Sequence, residues 1–407
     1  MVTFFGIETS NHMTTLLERT KRTDTWIYFA PVGEGGLAKY SVHQAAALSD
    51  AGVEVVFLGR EHMRSALESV APQIEFFALR ESEPGRGRIA KAMSWIRRLR
   101  SETRQLVDLT NQRVASRVLF ASYAEYFSPF WVRPLVGLRD RGVRFGTIVH
   151  DPVRDFRIGP RLWHEYCVAK AYSFVDVAFV HDDTPVDLGR PKQALRTEAI
   201  EIGTFDVPDD ANPSTRREVR ESLGIPTDAK VLLSFGHVRD GKNIDLLIKS
   251  MPQVSELHLL VVGREQSSSQ RSIRDYQDLA KYSDVADRCH WVNEFVAERD
   301  VHRYFQASDF MALLYSGDFQ SASAVLTVAS QFRLPVIASS GGGPLCKCVE
   351  EFGLGVWVPP DDLGAVKLGL KQLVGEGEKL TKDSRWSDFR EAHSWQRNAE
   401  RVIECMM

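Results

Sequence analysis

WIYFAPVGEGGLAKYSVHQAAALSDAGVEVVFL, residues 26–58, is the stretch that decides the fold class. Residues 26–30 are a short run of β-formers, followed at once by a proline and a glycine-rich turn. In the next segment Leu37, Val42, Ala45, Ala46 and Leu48 recur at helical spacing, and Gly52 stands just past the end. Residues 53–58 are a second apolar run. Strand, glycine loop, helix and strand within about 35 residues make a βαβ unit, and a βαβ unit implies a parallel sheet.

Outward from that unit the alternation continues. Strands are expected at 74–79, 118–122, 145–149 and 175–180, with a helix at 160–173 and a further strand-like stretch at 197–202. Residues 203–218 (GTFDVPDDANPSTRRE) read as a loop and mark a domain boundary. A second series follows: strands at 230–235, 257–262, 288–292, 310–314, 335–338 and 356–358, and helices at 243–251, 298–306, 323–332, 361–375 and 388–406. The pattern predicts two similar α/β halves. A ligand is expected in the cleft between them, beyond the carboxyl ends of the strands.

The 407 residues leave room for two or three domains at roughly 150 residues each. A 43% hydrophobic content provides a large core, and a formal net charge of −3 argues against nucleic acid as a main partner. Five cysteines, odd in number and scattered, fit a reducing compartment, and the Cys346-x-Cys348 pair lacks further ligands at zinc spacing. The N-terminal residues do not read as a signal peptide and no run of 18 apolar residues occurs, so a cytoplasmic protein is expected. Residues 86–104 form a basic amphipathic stretch: Arg86, Arg88, Lys91, Arg97, Arg98, Arg100 and Arg104 interleave with Trp95, Ile96 and Leu99. It can be a packed helix with a solvated face, or a peripheral contact with the inner face of a membrane.

Three glycine-rich strand ends carry the candidate chemistry. Gly35 and Gly36 precede a helix, where backbone N–H groups and the helix dipole favour an anion; a plain tight turn is the alternative. Gly236-His237-Val238-Arg239-Asp240-Gly241-Lys242 sets a turn, a histidine and two cations ahead of another helix. Those groups can hold a diphosphate and stabilise its charge as it departs, whereas a lysine placed there with no anion is disfavoured by the helix dipole. Gly341, Gly342 and Gly343 follow a third strand and suit close backbone contact with a ligand. His150, at the end of the strand at 145–149, can serve as a hydrogen-bond partner or a proton carrier.

Taken together, these segments resemble the retaining nucleotide-sugar glycosyltransferases of family 4. The pieces that carry the resemblance are GEGGLAKYSVHQAAALSDAGVEVVFL, SFGHVRDGKNIDLLIKSM, LHLLVVG, YFQASDFMALLYS, LPVIASSGGGP, FGLGVWVPPDD and HSWQRNAERVIE, in family order along nearly the whole chain. The resemblance implies the GT-B fold: two Rossmann-like α/β parallel-sheet domains, at 1–205 and 206–385, and a closing helix within 386–407 that returns to the first. It implies a donor site at Gly35, Gly36, Gly236, His237, Arg239, Lys242, Asp318, Gln320, Ser321, Gly341, Gly342 and Gly343. Catalytic roles fall to His150, facing the transferred sugar, and Lys242, binding the diphosphate. No metal or cofactor is implied.

The chain departs from the family at its acids. The two glutamates that the family places eight residues apart fall on Gln320 and Val328, and the acidic position after the third glycine loop is held by Leu345 and Cys346. Asp318 is a nearby carboxylate. The function implied is retaining, metal-independent sugar transfer from a nucleotide-diphosphate donor to a glycan, a lipid-linked acceptor or a small molecule. A degenerate protein that binds nucleotide sugar, glycan or a partner enzyme without turnover is the alternative.

Overall fold

A computed structural model describes residues 24–33, 35–81, 87–122, 124–150, 152, 159–181, 185–189, 195–205, 213–267 and 269–407. The N-terminal stretch, Arg86 and most of the acidic segment at the domain boundary lie outside them. The chain divides into two compact units. One comprises residues up to Gly203 together with Trp395–Met407, and the other is Thr204–Ser394.

The first unit runs β1 (Thr25–Ala30), α1 (Gly35–Asp50), β2 (Glu54–Gly59), α2 (Arg64–Val70), β3 (Glu75–Ala78), α3 (Arg88–Gln112), β4 (Arg117–Phe120), α4 (Arg133–Arg139), β5 (Arg144–Val149), α5 (Arg161–Ala171), β6 (Val177–Val180) and β7 (Arg196–Ala199). Its seven strands are ordered β3-β2-β1-β4-β5-β6-β7 and every pairing is parallel. All six residues of β1 are buried, as a central strand covered on both faces requires. The apolar side of α3, with Leu99, Leu106 and Leu109, packs into the core beside Phe120 and Trp131. Lys91, Met93, Arg97, Arg100 and Arg104 face solvent.

The second unit contains α6 (Pro213–Ser222), β8 (Lys230–Phe235), α7 (Ile244–Ser250), β9 (Leu257–Val262), α8 (Ile273–Tyr282), β10 (Cys289–Val292), α9 (Glu298–Gln306), β11 (Phe310–Leu314), α10 (Ala324–Gln331), β12 (Val336–Ser339), α11 (Pro344–Glu351), β13 (Gly355–Trp357), α12 (Leu363–Asp383) and α13 (Trp386–Ala392). Its parallel sheet is ordered β10-β9-β8-β11-β12-β13. Side chains on its two faces form two hydrophobic clusters, one built around Leu232, Leu257 and Leu370 and the other around Leu233, Leu313 and Trp386. The chain then returns to the first unit as α14 (Trp395–Met406), which lies on α1.

Two expectations are corrected here. Residues 213–222 are helical, although their polarity reads as loop. The fully buried Arg220 donates to Ala307 O, Thr227 O, Ala229 O and Asp309, and Arg216 reaches the same carboxylate, so side-chain hydrogen bonds dock this helix in place of an apolar stripe. The single helix expected at 388–406 is broken at His393–Ser394. Trp386 and Phe389 of α13 bury in the second unit, whereas Asn398, Ala399 and Val402 of α14 bury in the first. One straight axis does not serve both cores.

Candidate functional site

In the second sheet the strand order reverses between β8 and β11, and such a switch point opens a crevice at the carboxyl ends of the strands. Three loops surround it: 236–243 after β8, 315–323 after β11 and 340–343 after β12. They bring together Gly236, His237, Arg239, Lys242, Asp318, Gln320, Ser321, Gly341, Gly342 and Gly343.

Lys242 ends a single 3-10 turn, Asp240–Lys242, and its ammonium donates to Phe235 O, the last carbonyl of β8. Gly236 lies at φ +93°, where a side chain is strained, and a Cβ there would stand 3.2 Å from Lys242 Nζ and press on it. Burial, followed by the charge of Arg239, pulls the Lys242 ammonium down to about 7. The same cause acts at His237: partial burial comes first, then Arg264, with Lys242 and Arg239 adding to it, and the imidazole falls below its ordinary value. Burial and the arginines thus disfavour the charges of Lys242 and His237, and four basic side chains gathered in one crevice suit an anion. Arg264 was missed in the sequence; it follows the turn after β9 and is brought in by Val238 N donating to Arg264 O at 2.9 Å.

The remaining loops are knitted by backbone contacts and one carboxylate. Gly341 N donates to Phe319 O at 2.9 Å, and a Cβ on Gly341 would stand 1.7 Å from Gly317 O. Tyr315 stacks on Phe319 at 4.0 Å and shares a 3.1 Å hydrogen bond with Ser323. Asp361, also unread in the sequence, accepts from Gly317 N at 2.7 Å and from Asn243 Nδ2 at 2.9 Å, joining the loops after β8 and β11. It takes a left-handed φ of 58°, and the Pro-Pro-Asp-Asp turn in which it stands was the available signal. Asp318 and Gln320 are exposed on the same turn, and Ser321 is half-buried. Val328 sits on α10 with its side chain against the core, and Leu345 is buried beneath the start of α11. Neither places a polar atom in the crevice.

In the first unit Gly35 and Gly36 open α1, with free space beside both, and Gly35 takes φ +60°. His150 lies one residue past β5. Its Nε2 is 3.0 Å from Ala121 O and its Nδ1 is 3.1 Å from His181 Nε2, while His181 Nδ1 is 3.1 Å from Ile200 O. With each carbonyl receiving an N–H, the two facing nitrogens need one added proton to bond. Burial opposes that proton and pulls His150 down to about 4. Tyr40 closes over the pair edge-on, at 4.8 Å from His150. Both ring nitrogens of His150 are thus directed at protein atoms.

Among the described residues no group of three or more His, Cys, Asp or Glu is placed to hold a metal ion, and no helix is long and apolar enough to cross a membrane.

Residues 215–388 match the family model Glycosyl transferases group 1. A D-inositol 3-phosphate glycosyltransferase of Xylanimonas cellulosilytica is 28% identical over 144 residues, which are 35% of this chain and 34% of that protein. The chain spans about a third to a half of the length of the curated relatives it matches. Among solved structures, Anabaena Alr3699/HepE in complex with UDP superposes with a TM-score of 0.69 at 14% identity, covering 93% of this chain and 98% of that one. Sucrose-phosphate synthase from Thermosynechococcus elongatus gives 0.68 at 18% identity, with the same coverage. These likenesses show the GT-B fold, two Rossmann-like parallel-sheet α/β units.

Proposed function

We propose that this GT-B chain, which resembles the family 4 enzymes and carries the glycosyl transferases group 1 segment at 215–388, moves a sugar from a nucleotide-diphosphate donor to an acceptor hydroxyl with retention and without a metal. The observation that carries the reading is the cluster of His237, Arg239, Lys242 and Arg264 at the switch point of the second sheet, four basic groups whose charge suits a diphosphate, with burial and the arginines holding Lys242 and His237 below their ordinary values. The UDP complex of the Anabaena structure and the transferase names of the relatives support the same reading.

In the proposed step the bond from the anomeric carbon to the donor phosphate oxygen breaks as the bond to the acceptor oxygen forms on the same face. The departing diphosphate takes the acceptor proton. Lys242 and Arg239 stabilise the charge that develops on it, and Gly341–Gly343 let the backbone approach it. Asp318, Gln320 and Ser321 edge the sugar side, and Gly35 and Gly36 present backbone N–H groups from the first unit. His150 contacts the sugar by releasing Ala121 O or His181. His150→Ala is then expected to lower kcat at least tenfold with donor binding retained.

The acceptor is a glycan, a lipid-linked glycan or a small molecule. A lipid-linked acceptor accords with the cationic face of α3 and the exposed Phe130 beside Arg100, which suit an anionic bilayer surface. Sedimentation with anionic but not zwitterionic vesicles checks that contact. The decisive experiment is a thermal-shift screen of UDP, GDP, ADP and their sugar conjugates against the wild type and Lys242→Ala, followed by assay of sugar release. A shift lost in Lys242→Ala, together with turnover, supports the transferase. A Lys242-dependent shift with no turnover on any acceptor favours the degenerate binding protein, a reading supported by Val328 and Leu345 in place of acids.

A further inference from the structure

The first sheet has its own switch point, between β1 and β4, where the strand order reverses. A cavity of about 50 Å³ lies there, walled by Phe29 of β1, Phe120 of β4 and Trp131, and roofed by α3. Three charged side chains line it. Arg60 donates to Pro31 O at 2.8 Å and to Glu102, whose side chain is only 4% exposed. Arg98 stands at the rim, 40% exposed, with its Nε 3.6 Å from Glu102. That Nε is shielded from solvent and has no hydrogen-bond partner.

Arg60 has one strong carboxylate partner and a carbonyl. Arg98 meets Glu102 only at ion-pair distance, and its shielded Nε, left without a hydrogen bond, costs free energy that an incoming acceptor atom would recover. Two guanidinium groups and one carboxylate leave the cavity with one net positive charge. At about 10–15 Å³ of such volume per water-sized atom, the cavity admits three to five atoms between aromatic walls. A planar carboxylate meets both limits. A phosphate monoester brings more charge and a tetrahedral shape.

We propose that this cavity seats the carboxylate of an acidic sugar, held by Arg98 with Arg60 behind it, and that the acceptor of the proposed transfer is a uronate-type molecule. The acceptor role rests on the transferase reading; the carboxylate site does not. Glu102 sets the strength of the site by opposing the incoming anion, and burial already holds its carboxyl above the usual range against both arginines.

The test is binding of glucuronate, glucose and glucose 6-phosphate to the full chain without nucleotide, followed by saturation-transfer NMR with acetate as competitor. Glucuronate is expected to bind at least tenfold more tightly than either of the others and to be displaced by acetate. Arg98→Met should abolish that preference. Glu102→Gln, which keeps the acceptor for Arg60 but removes the charge, should increase it severalfold, an effect opposite to simple damage. Both variants should keep the unfolding transition of the first unit, which shows that the unit carrying the cavity is folded, and the nucleotide-induced shift, which reports on the other. Glucuronate no tighter than glucose, tighter glucose 6-phosphate, or a preference intact in Arg98→Met each overturns the proposal. Absence of any nucleotide shift in the wild type would instead sink the transferase reading and leave the carboxylate result standing.

Discussion

At the scale of single residues, Lys242 is a titratable switch on the donor site. Unoccupied, its ammonium titrates at about 7, because burial and Arg239 disfavour the charge. A bound diphosphate favours the charge, so binding near pH 7 takes up a proton. Affinity should therefore be greatest below pH 7 and fall as the pH rises, by at most tenfold per unit. Calorimetry in buffers of differing ionisation enthalpy checks this; a nucleotide affinity flat from pH 7 to 9 would exclude the lysine as a ligand. Lys242→Ala should lose about 1.5–3 kcal/mol of donor binding, the range for a charge-assisted hydrogen bond. At the same scale Gly341→Ala should weaken donor binding at least tenfold, since its Cβ would stand 1.7 Å from Gly317 O and force the loops after β11 and β12 apart.

At the scale of elements, a buried amide joins the apolar contacts of Ala399 and Val402 in fixing α14 to the first unit. Asn398 accepts from Gln44 Nε2 at 2.7 Å and donates to Glu201 O at 2.6 Å and to Tyr40 at 3.2 Å, with its side chain essentially inaccessible. Asn398→Ala leaves Gln44 and Glu201 short of partners and is expected to cost about 2 kcal/mol. Urea unfolding should show that loss with no change in nucleotide affinity. The start of α12 was readable because its cap is local: Asp362 accepts from Ala365 N. The helix at 273–282 was not expected, although Ser272 and Asp275 form a capping box at its start. The helix of residues 213–222 was not legible, because what holds it is Asp309, nearly a hundred residues away.

At the scale of the whole molecule, the two units bury separate cores, so calorimetry should resolve two unfolding transitions. Nucleotide at a hundredfold excess over its Kd should raise the transition of the second unit, which carries Lys242 and Arg239, by about 2.7 kcal/mol. Truncation before Trp395 should lower only the other. The first unit contains the last residues of the chain, so its folding cannot finish until synthesis of the second unit is complete. A truncated chain whose first unit melts normally would contradict that dependence.

The alternation of apolar runs with helical spacing and glycine turns was enough to specify two parallel α/β halves and most strand positions to within a residue or two, because strand burial and helix periodicity are local signals. Gly236, Lys242 and Gly341–Gly343 stood out for the same reason: glycines and cations at strand ends declare themselves by type and place. Arg264, Asp361 and the cavity between Arg60, Arg98 and Glu102 did not, since each depends on strands or loops far apart in sequence meeting at a switch point. The charge states followed the same division. That Lys242 and His150 can titrate is a property of their side chains; that burial depresses both, and that both nitrogens of His150 are taken up by Ala121 and His181, was decided only when the sheet closed around them.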